Sequence, residues 1–97
     1  MSTFSIQRRE NGDLAIAGWL DASHAEEAGE VFDTLTTTTR VDLKELEYIS
    51  SMGLGLLLKA QKRLGSSGHA LILANTGKMV RDVFRIARFD LIFKFED

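Results

Sequence analysis

Segments with helical spacing of apolar residues alternate with short strand-like runs, and this alternation constrains the fold more than any other feature. Three apolar series at helical spacing run from Ala25 to Leu35, from Leu54 to Leu64 and from Met79 to Ala87. Between the last two lies 70–74, a continuous apolar run typical of a strand covered on both faces. Helices that alternate with short buried strands predict a mostly parallel sheet with right-handed crossovers.

The N-terminal region predicts an antiparallel hairpin. Phe4 and Ile6 alternate with polar residues, and Leu14 and Ile16 repeat that alternation. The intervening Asn11-Gly12 predicts a type I′ turn, because both central residues of that turn need positive φ. The predicted order is β-β-α-β-α-β-α-β. It describes a mixed α/β sheet of about five strands, with three or more helices.

The remaining boundaries follow from local signals. Residues 40–43 predict a strand, and 48–49 are either its continuation or a turn leading out of it. Gly65 is predicted to follow the end of the second helix, because glycine favours that position. Residues 91–93 predict the last strand. The expected core includes Met79, Val80, Val83 and Phe84. Trp19 is interpreted as a core anchor, with an interface residue as the alternative.

Composition narrows the function classes. A chain of 97 residues fits one domain, and the lack of cysteine excludes disulfides and thiolate chemistry. The start of the chain has no secretory signal pattern and no apolar run is long enough to span a bilayer, so a cytoplasmic protein is expected. Residues 1–58 hold four basic and ten acidic residues, whereas the remainder holds eight basic and four acidic. Such polarity favours a protein partner over nucleic acid.

No arrangement typical of an enzyme is evident. His24 and His69 have neither metal-ligand spacing nor a cysteine to pair with. Gly53-Leu54-Gly55 does not extend to a phosphate-binding motif, because Leu58 stands where a third glycine belongs. The acidic residues are interpreted as solvated charges. We therefore expect no catalytic residue, no metal and no cofactor.

The junction from Tyr48 to Gly55 is the remaining unusual feature. Two serines precede a helix that carries two glycines near its start, although glycine costs about 1 kcal/mol in a helix interior. One interpretation is a helix cap, with the glycines tolerated for packing. The other is a partner-facing helix start with a phosphorylatable serine, since a phosphoryl group adds about −1.5 to −2 charges at neutral pH.

This junction resembles the STAS domain family (sulfate transporter and anti-sigma factor antagonist). The family motif has an Asp, then an aromatic and an aliphatic residue, Asp or Ser, Ser, a small residue, and Gly. Here the corresponding segment runs from Asp42 through Tyr48-Ile49-Ser50-Ser51-Met52-Gly53 to Leu54. Residues 18–21 before the first helix and 86–93 near the end are similar to the family too. The resemblance implies a STAS-like mixed sheet.

The resemblance also implies a function. An unphosphorylated antagonist binds an anti-sigma factor, commonly a GHKL-type serine kinase, and so releases a sigma factor. The kinase phosphorylates a serine at the start of the second helix with ATP, and a PP2C-type phosphatase reverses this. Ser51 is then the expected acceptor, with Ser50 in reserve. The expected partner-binding residues are Asp21, Ser50, Ser51, Met52, Gly53 and Gly55.

Two departures from the motif leave alternatives open. Ser50 stands where many members have Asp, and Met52 stands at the second hydroxyl position. These changes favour a non-phosphorylated scaffold or an accessory subunit of a lipid-transport ATPase complex, which the family also contains. A small enzyme or nucleotide-binding domain is the third alternative, and it lacks a supporting motif.

Overall fold

The computed structural model describes residues 4–96, and this part of the chain forms six strands and three helices. The strands are β1 (Ser5–Arg8), β2 (Leu14–Leu20), β3 (Thr39–Asp42), β4 (Leu46–Ile49), β5 (Leu71–Ala74) and β6 (Lys94–Glu96). The helices are α1 (Ala25–Phe32), α2 (Ser51–Gly65) and α3 (Lys78–Ile86). A 3₁₀ turn, Ala22–His24, precedes α1. The predicted mixed α/β fold is confirmed, with one strand more than the five expected.

The strands form one mixed sheet in the order β1-β2-β3-β5-β6, and β4 also pairs with β2. β1 and β2 form the predicted antiparallel hairpin, whereas the other pairings are parallel. β3 pairs with β2 at Leu14 and Ala15, and β4 pairs with it from Gly18 to Leu20. β3 and β4 therefore follow one another along the same edge of β2. Residues 48–49 belong to a separate strand and not to a simple extension of β3.

The helices pack on one face of this sheet. Leu14, Val41, Leu73 and Phe95 lie opposite one another on adjacent strands, and the first three are fully buried. Buried residues of all three helices join the same apolar cluster. Of the side chains that alternate with these, Ala15, Arg40 and Ile72 are only partly buried, whereas Asp42 and Ala74 at the ends of β3 and β5 are buried. The core therefore lies on the helical side.

The hairpin turn differs from the prediction. Arg9 N–H donates to the carbonyl of Asp13 (2.7 Å), and Gly12 N–H donates to that of Arg9 (3.0 Å). Gly12 has a left-handed φ of 94°, but Asn11 is not among the residues with positive φ. Instead, the Asn11 side chain accepts from Asp13 N–H (2.9 Å). This local bond stabilises a longer loop with glycine in the left-handed position, so the type I′ prediction was wrong.

Two predicted boundaries shift for related reasons. Gly65 is the last residue of α2 and Ser66 is its C-cap. Gly68 (φ 79°) takes the left-handed position in the turn that follows, where His69 N–H bonds to the carbonyl of Leu64 (2.9 Å). After α3, Arg88 takes a left-handed φ of 63°, and a turn joins Ile92 N–H to the carbonyl of Phe89 (3.1 Å). That turn uses residues 91–93, so the last strand begins at 94 and its predicted position was wrong.

Within residues 4–96, no helix combines the length and apolar character needed to cross a membrane.

Candidate functional site

The predicted junction lies where two parallel strands end side by side. Leu20 of β2 pairs with Ile49 of β4, and Ser50 N–H continues the ladder by donating to the carbonyl of Leu20 (3.0 Å). Asp21 and Ser50 are the next residues on these two strands. The fold therefore brings Asp21 to the same sheet edge as Ser50 and the start of α2.

The two serines have different environments. Ser50 has extended backbone (φ −88°, ψ 173°) and is the N-cap of α2, where its Oγ accepts from Gly53 N–H (3.2 Å). Its side chain is partly buried by this contact. Ser51 is the first residue of α2 and is exposed. The hydroxyl of Ser51 is therefore accessible, whereas that of Ser50 caps the helix.

The two glycines of the junction also differ. A Cβ on Gly53 would lie 2.7 Å from the carbonyl oxygen of Leu20 and 2.8 Å from Cγ1 of Ile49. Glycine at 53 is therefore required for α2 to approach the ends of β2 and β4. A Cβ on Gly55 would meet nothing within 4 Å, and the residue is exposed. Packing explains Gly53 but leaves Gly55 without a role within the chain.

Asp21 is held in a local cap. Its Oδ1 accepts from Ser23 N–H (3.1 Å) and Ser23 Oγ–H (2.7 Å), and it lies 3.1 Å from His24 Nδ1. The hydrogen bond from the Ser23 side chain is the main cause that lowers the pKa of Asp21. The His24 ring stacks on Phe4 with centroids 4.6 Å apart. Asp21 therefore caps the 3₁₀ turn before α1, while remaining partly exposed at the edge.

Large apolar side chains surround the serines. Met52 is 52% exposed next to Ser51. Trp19, which was expected in the core, is 42% exposed, and its ring lies 4.8 Å from that of Tyr48. Trp19 occupies the outward position between buried Gly18 and Leu20 on β2, so strand alternation places it outside. The prediction of Trp19 as a core anchor was therefore wrong, and its alternative role as an interface residue stays a prediction.

A shallow groove beside Ser51 was not anticipated. Its central depression, of about 320 Å³, lies between the start of α2 and α3. The lining residues are Tyr48, Ile49, Ser50, Ser51, Leu54, Val83, Ile86 and Ala87. Met79, predicted to be core, is 78% exposed near one end of the groove, because Val80 and Phe84 take the buried face of α3. The available signal was that α3 carries apolar residues over more than one helical face.

The other half of the same sheet edge is closed by polar contacts. Asp42 is buried at the end of β3, where it accepts from Arg9 (2.7 Å), from the Asn75 side chain (3.1 Å) and from Lys44 N–H (3.0 Å). Burial by itself would raise the pKa of Asp42. The hydrogen bonds from Asn75, Arg9 and Lys44 outweigh it and lower that pKa to about 2. Asp42, the first residue of the motif, therefore stabilises the edge.

Between residues 4 and 96, no group of three His, Cys, Asp or Glu side chains is placed to hold a metal ion.

The chain is a small α/β domain of a distinct class. Its mixed sheet has helices on one face, and an exposed serine is the first residue of its second helix. Residues 4–94 match the family model described as "Mlab, STAS domain". The chain belongs to the STAS domain family.

Individual relatives agree with this assignment. A STAS-domain containing protein of Pseudomonas aeruginosa is 29% identical over 84 residues, which cover 84% of this chain and 83% of the relative.

Solved structures share the fold at low identity. An anti-sigma factor antagonist from Mycobacterium paratuberculosis superposes with a TM-score of 0.80 at 17% identity, covering 99% of this chain and 86% of that one. SpoIIAA, an anti-sigma factor antagonist in its unphosphorylated form, gives 0.72 at 22%, covering 98% and 88%. The Bacillus cell fate determinant SpoIIAA in its phosphorylated form gives 0.69 at 22%, covering 96% and 90%.

Proposed function

We propose that this protein is an anti-sigma factor antagonist, a binding module without catalytic activity of its own. Its unphosphorylated form binds an anti-sigma factor that is also a GHKL-type serine kinase, and thereby releases a sigma factor. The observation that carries this proposal is the exposed Ser51 at the first position of α2, beside exposed apolar side chains. Similarity in fold to antagonists solved in unphosphorylated and phosphorylated forms supports it.

Phosphorylation of Ser51 is the proposed switch. In the free protein, a phosphoryl group at this position faces solvent at the positive end of the α2 dipole, so its cost to the fold is small. In a complex, the same group is desolvated against Met52 and the neighbouring apolar groove. Since about 1.4 kcal/mol changes affinity tenfold, a desolvation cost of about 2–4 kcal/mol dissociates a micromolar complex.

The proposed partner surface is the sheet edge formed by Asp21, Ser50, Ser51, Met52, Gly53 and Gly55. Within it, Ser50 and Gly53 shape the helix start, while Ser51 and Met52 are exposed for contact. Gly55 is exposed too, and a glycine there lets a partner backbone approach α2 closely. A PP2C-type phosphatase restores the binding form. The protein acts in the cytoplasm, as one domain, without nucleic acid or membrane insertion.

Mass spectrometry tests the switch. The chain is incubated with ATP and the GHKL-type kinase encoded nearest to it in its genome. We expect one added phosphate, which Ser51→Ala abolishes and the control Ser67→Ala, at an exposed serine after α2, leaves in place. Phosphate retained in Ser51→Ala but lost in Ser50→Ala assigns the reserve site. Phosphate retained in both variants contradicts the proposed switch.

A second candidate function is an accessory subunit of a lipid-transport ATPase complex, without phosphorylation. Met52 favours it, because a methionine replaces the second hydroxyl of the motif and presents an adaptable apolar side chain. Ser50 in place of the motif Asp favours it as well. Affinity purification separates the two functions: a stable complex with a transporter ATPase, and none with a sigma regulator, selects the second.

A further inference from the structure

Helix α3 carries an apolar stripe that the core does not use. Val80 and Phe84 face the core, whereas Met79 and Ile86 are 78% and 81% exposed, and Val83 between them is partly buried. Met79, Val83 and Ile86 are four and three residues apart and so lie along one side of α3. A surface helix normally has polar residues on its outer side. This stripe is therefore available to another molecule.

The stripe borders a continuous series of depressions, which we call the α3 groove. Its centre is the depression of about 320 Å³ between Val83, Ile86 and the start of α2. One end continues as a cavity of about 170 Å³ beneath Met79 and Tyr48. The other end opens past Ile86 into a depression of about 530 Å³ beside Leu91. Ser51 lies on the rim of the central depression.

The charges around the α3 groove are uneven. Arg85 and Arg88 line the end beside Leu91, with Asp90 as the acidic residue there. Both arginines are exposed. Glu47 lines the opposite end. The α2 wall carries no charged residue from 51 to 58. Asp82 offsets part of the charge of the arginines, because it forms an ion pair with Arg85. The groove is thus apolar in its centre, with Arg88 and the Asp82-paired Arg85 at the Leu91 end.

Arg88 adds a second observation at that end. Its φ of 63° lies in the left-handed region that favours glycine. Arg88 lies just after the end of α3. Its N–H donates to the carbonyl of Arg85 (3.0 Å), and Phe89 N–H donates to the carbonyl of Phe84 (2.8 Å). Arginine adopts this conformation less readily than glycine, and the turn places the Arg88 side chain at the Leu91 end of the groove. Leu91, in the following turn, is 93% exposed.

We propose that the α3 groove binds an amphipathic helix of a protein partner, with the apolar face of that helix on Met79, Val83 and Ile86 and its acidic residues toward Arg85 and Arg88. Met79, Val83 and Ile86 are spaced about one helical turn apart. A docked helix presents apolar side chains at the same spacing, at positions i, i+3 or i+4, and i+7. The guanidinium groups of Arg88 and Arg85 at the Leu91 end suit carboxylates. The inference rests on the proposed function, because it identifies what the anti-sigma factor inserts beside Ser51.

A designed peptide tests the groove without the anti-sigma factor. The probe is an 18-residue helical peptide free of tryptophan, with a leucine stripe at heptad spacing and glutamates beside it; a matched peptide has lysines in place of the glutamates. Trp19, the single tryptophan, reports binding through its ring contact with Tyr48. We expect the acidic peptide to bind at least tenfold more tightly at low salt, and amide NMR shifts to map to α3 and the start of α2.

Variants locate the site. Ile86→Glu should weaken the acidic peptide at least tenfold, and Arg85→Glu about fivefold. The matched controls are Ile92→Glu, at an exposed isoleucine that does not line the three depressions, and Lys62→Glu, at an exposed base near the end of α2. Neither control should change binding. Equal affinity for the two peptides, shifts outside the groove, or concentration-dependent dimers that cover it would overturn the proposal.

The same variants separate this inference from the proposed function. If an anti-sigma factor binds the wild-type chain and loses affinity with Ile86→Glu, both hold. If it binds wild type and Ile86→Glu equally, the function stands and the groove proposal fails. If no anti-sigma factor binds while the acidic peptide still does, the proposed function fails and the groove proposal is retained for another partner.

Discussion

Two ends of the same sheet edge are built in opposite ways. Where β3 and β5 end, the buried Asp42 carboxylate accepts hydrogen bonds from the side chains of Arg9 and Asn75. Where β2 and β4 end, the backbone beneath is just as tightly packed, but Ser51 and Met52 project into solvent. The β3/β5 end uses its polar groups to stabilise the fold. The β2/β4 end keeps its polar and apolar groups available.

This contrast separates two kinds of motif residue. Asp42 and Gly53 of the STAS motif make contacts that stabilise the fold, whereas the Ser51 side chain makes no hydrogen bond or ion pair within residues 4–96. A motif found in sequence therefore mixes structural and functional positions. The substitutions below divide them by their effect on the free energy of unfolding, ordered from the largest expected effect to the smallest.

Gly53→Ala should have the largest effect. Its Cβ would lie 2.7 Å from a backbone oxygen of β2, so α2 must shift away from the sheet. We expect a loss of about 3 kcal/mol in the free energy of unfolding, measured by urea denaturation. A loss below about 1 kcal/mol would show that the β2/β4 end is looser than its packing indicates.

Asp42→Asn should cost about 2 kcal/mol at neutral pH, because it removes a buried carboxylate from Arg9. The pKa of Asp42 is about 2 in the folded protein against an ordinary 3.8, so its contribution is present above about pH 4 and is lost as the pH falls toward 2. Denaturation at several pH values should show wild type and variant converging near pH 2. The control is Glu10→Gln, in the exposed hairpin loop. It should change neither the free energy of unfolding nor the dependence of that free energy on pH.

Gly55→Ala should stabilise the protein by about 1 kcal/mol, because alanine is the better helix former and its Cβ meets nothing within 4 Å. The same variant should weaken partner binding if the close approach proposed for Gly55 is correct. Thermal denaturation and a binding titration check the two effects. Stabilisation together with unchanged binding would remove Gly55 from the partner surface.

Ser51→Asp should change stability least, by less than about 0.5 kcal/mol, because the side chain is exposed and an acid near a helix N-terminus is tolerated. It should nevertheless abolish binding to the anti-sigma factor, whereas Ser51→Ala should retain it. Calorimetric titration of both variants makes this comparison. A large loss of stability in Ser51→Asp would place Ser51 with the structural residues instead.

Much of the fold followed from periodic patterns, and the errors have physical causes. The hairpin and the three helices were predicted because each has one regular apolar face, and β5 was predicted because its residues form a continuous apolar run. The strand predicted at 91–93 was wrong because Arg88 adopts a left-handed conformation that its residue type does not signal. Met79 was misplaced because α3 carries more apolar residues than one buried face can use.

The candidate site was predictable only in part. The motif indicated Ser51, and the structure adds that Ser50 is engaged as the cap. In the sequence Gly53 and Gly55 are equivalent candidates near the start of the second helix, and only the contact of Gly53 with Leu20 separates their roles. The α3 groove joins residues of β4, α2 and α3 that lie far apart in the chain. No local pattern could indicate that such segments meet.

The position of Ser51 within α2 determines how any modifying enzyme must recognise it. Three contacts hold the backbone around Ser51: the Ser50 cap, the hydrogen bond from Ser50 N–H to the Leu20 carbonyl, and the close packing of Gly53. Ser51 is therefore presented on a folded surface. A short peptide spanning the junction would not keep this helical geometry in water. Under the proposed function, the kinase would therefore recognise a conformational epitope, and a linear consensus around Ser51 would not suffice to identify it.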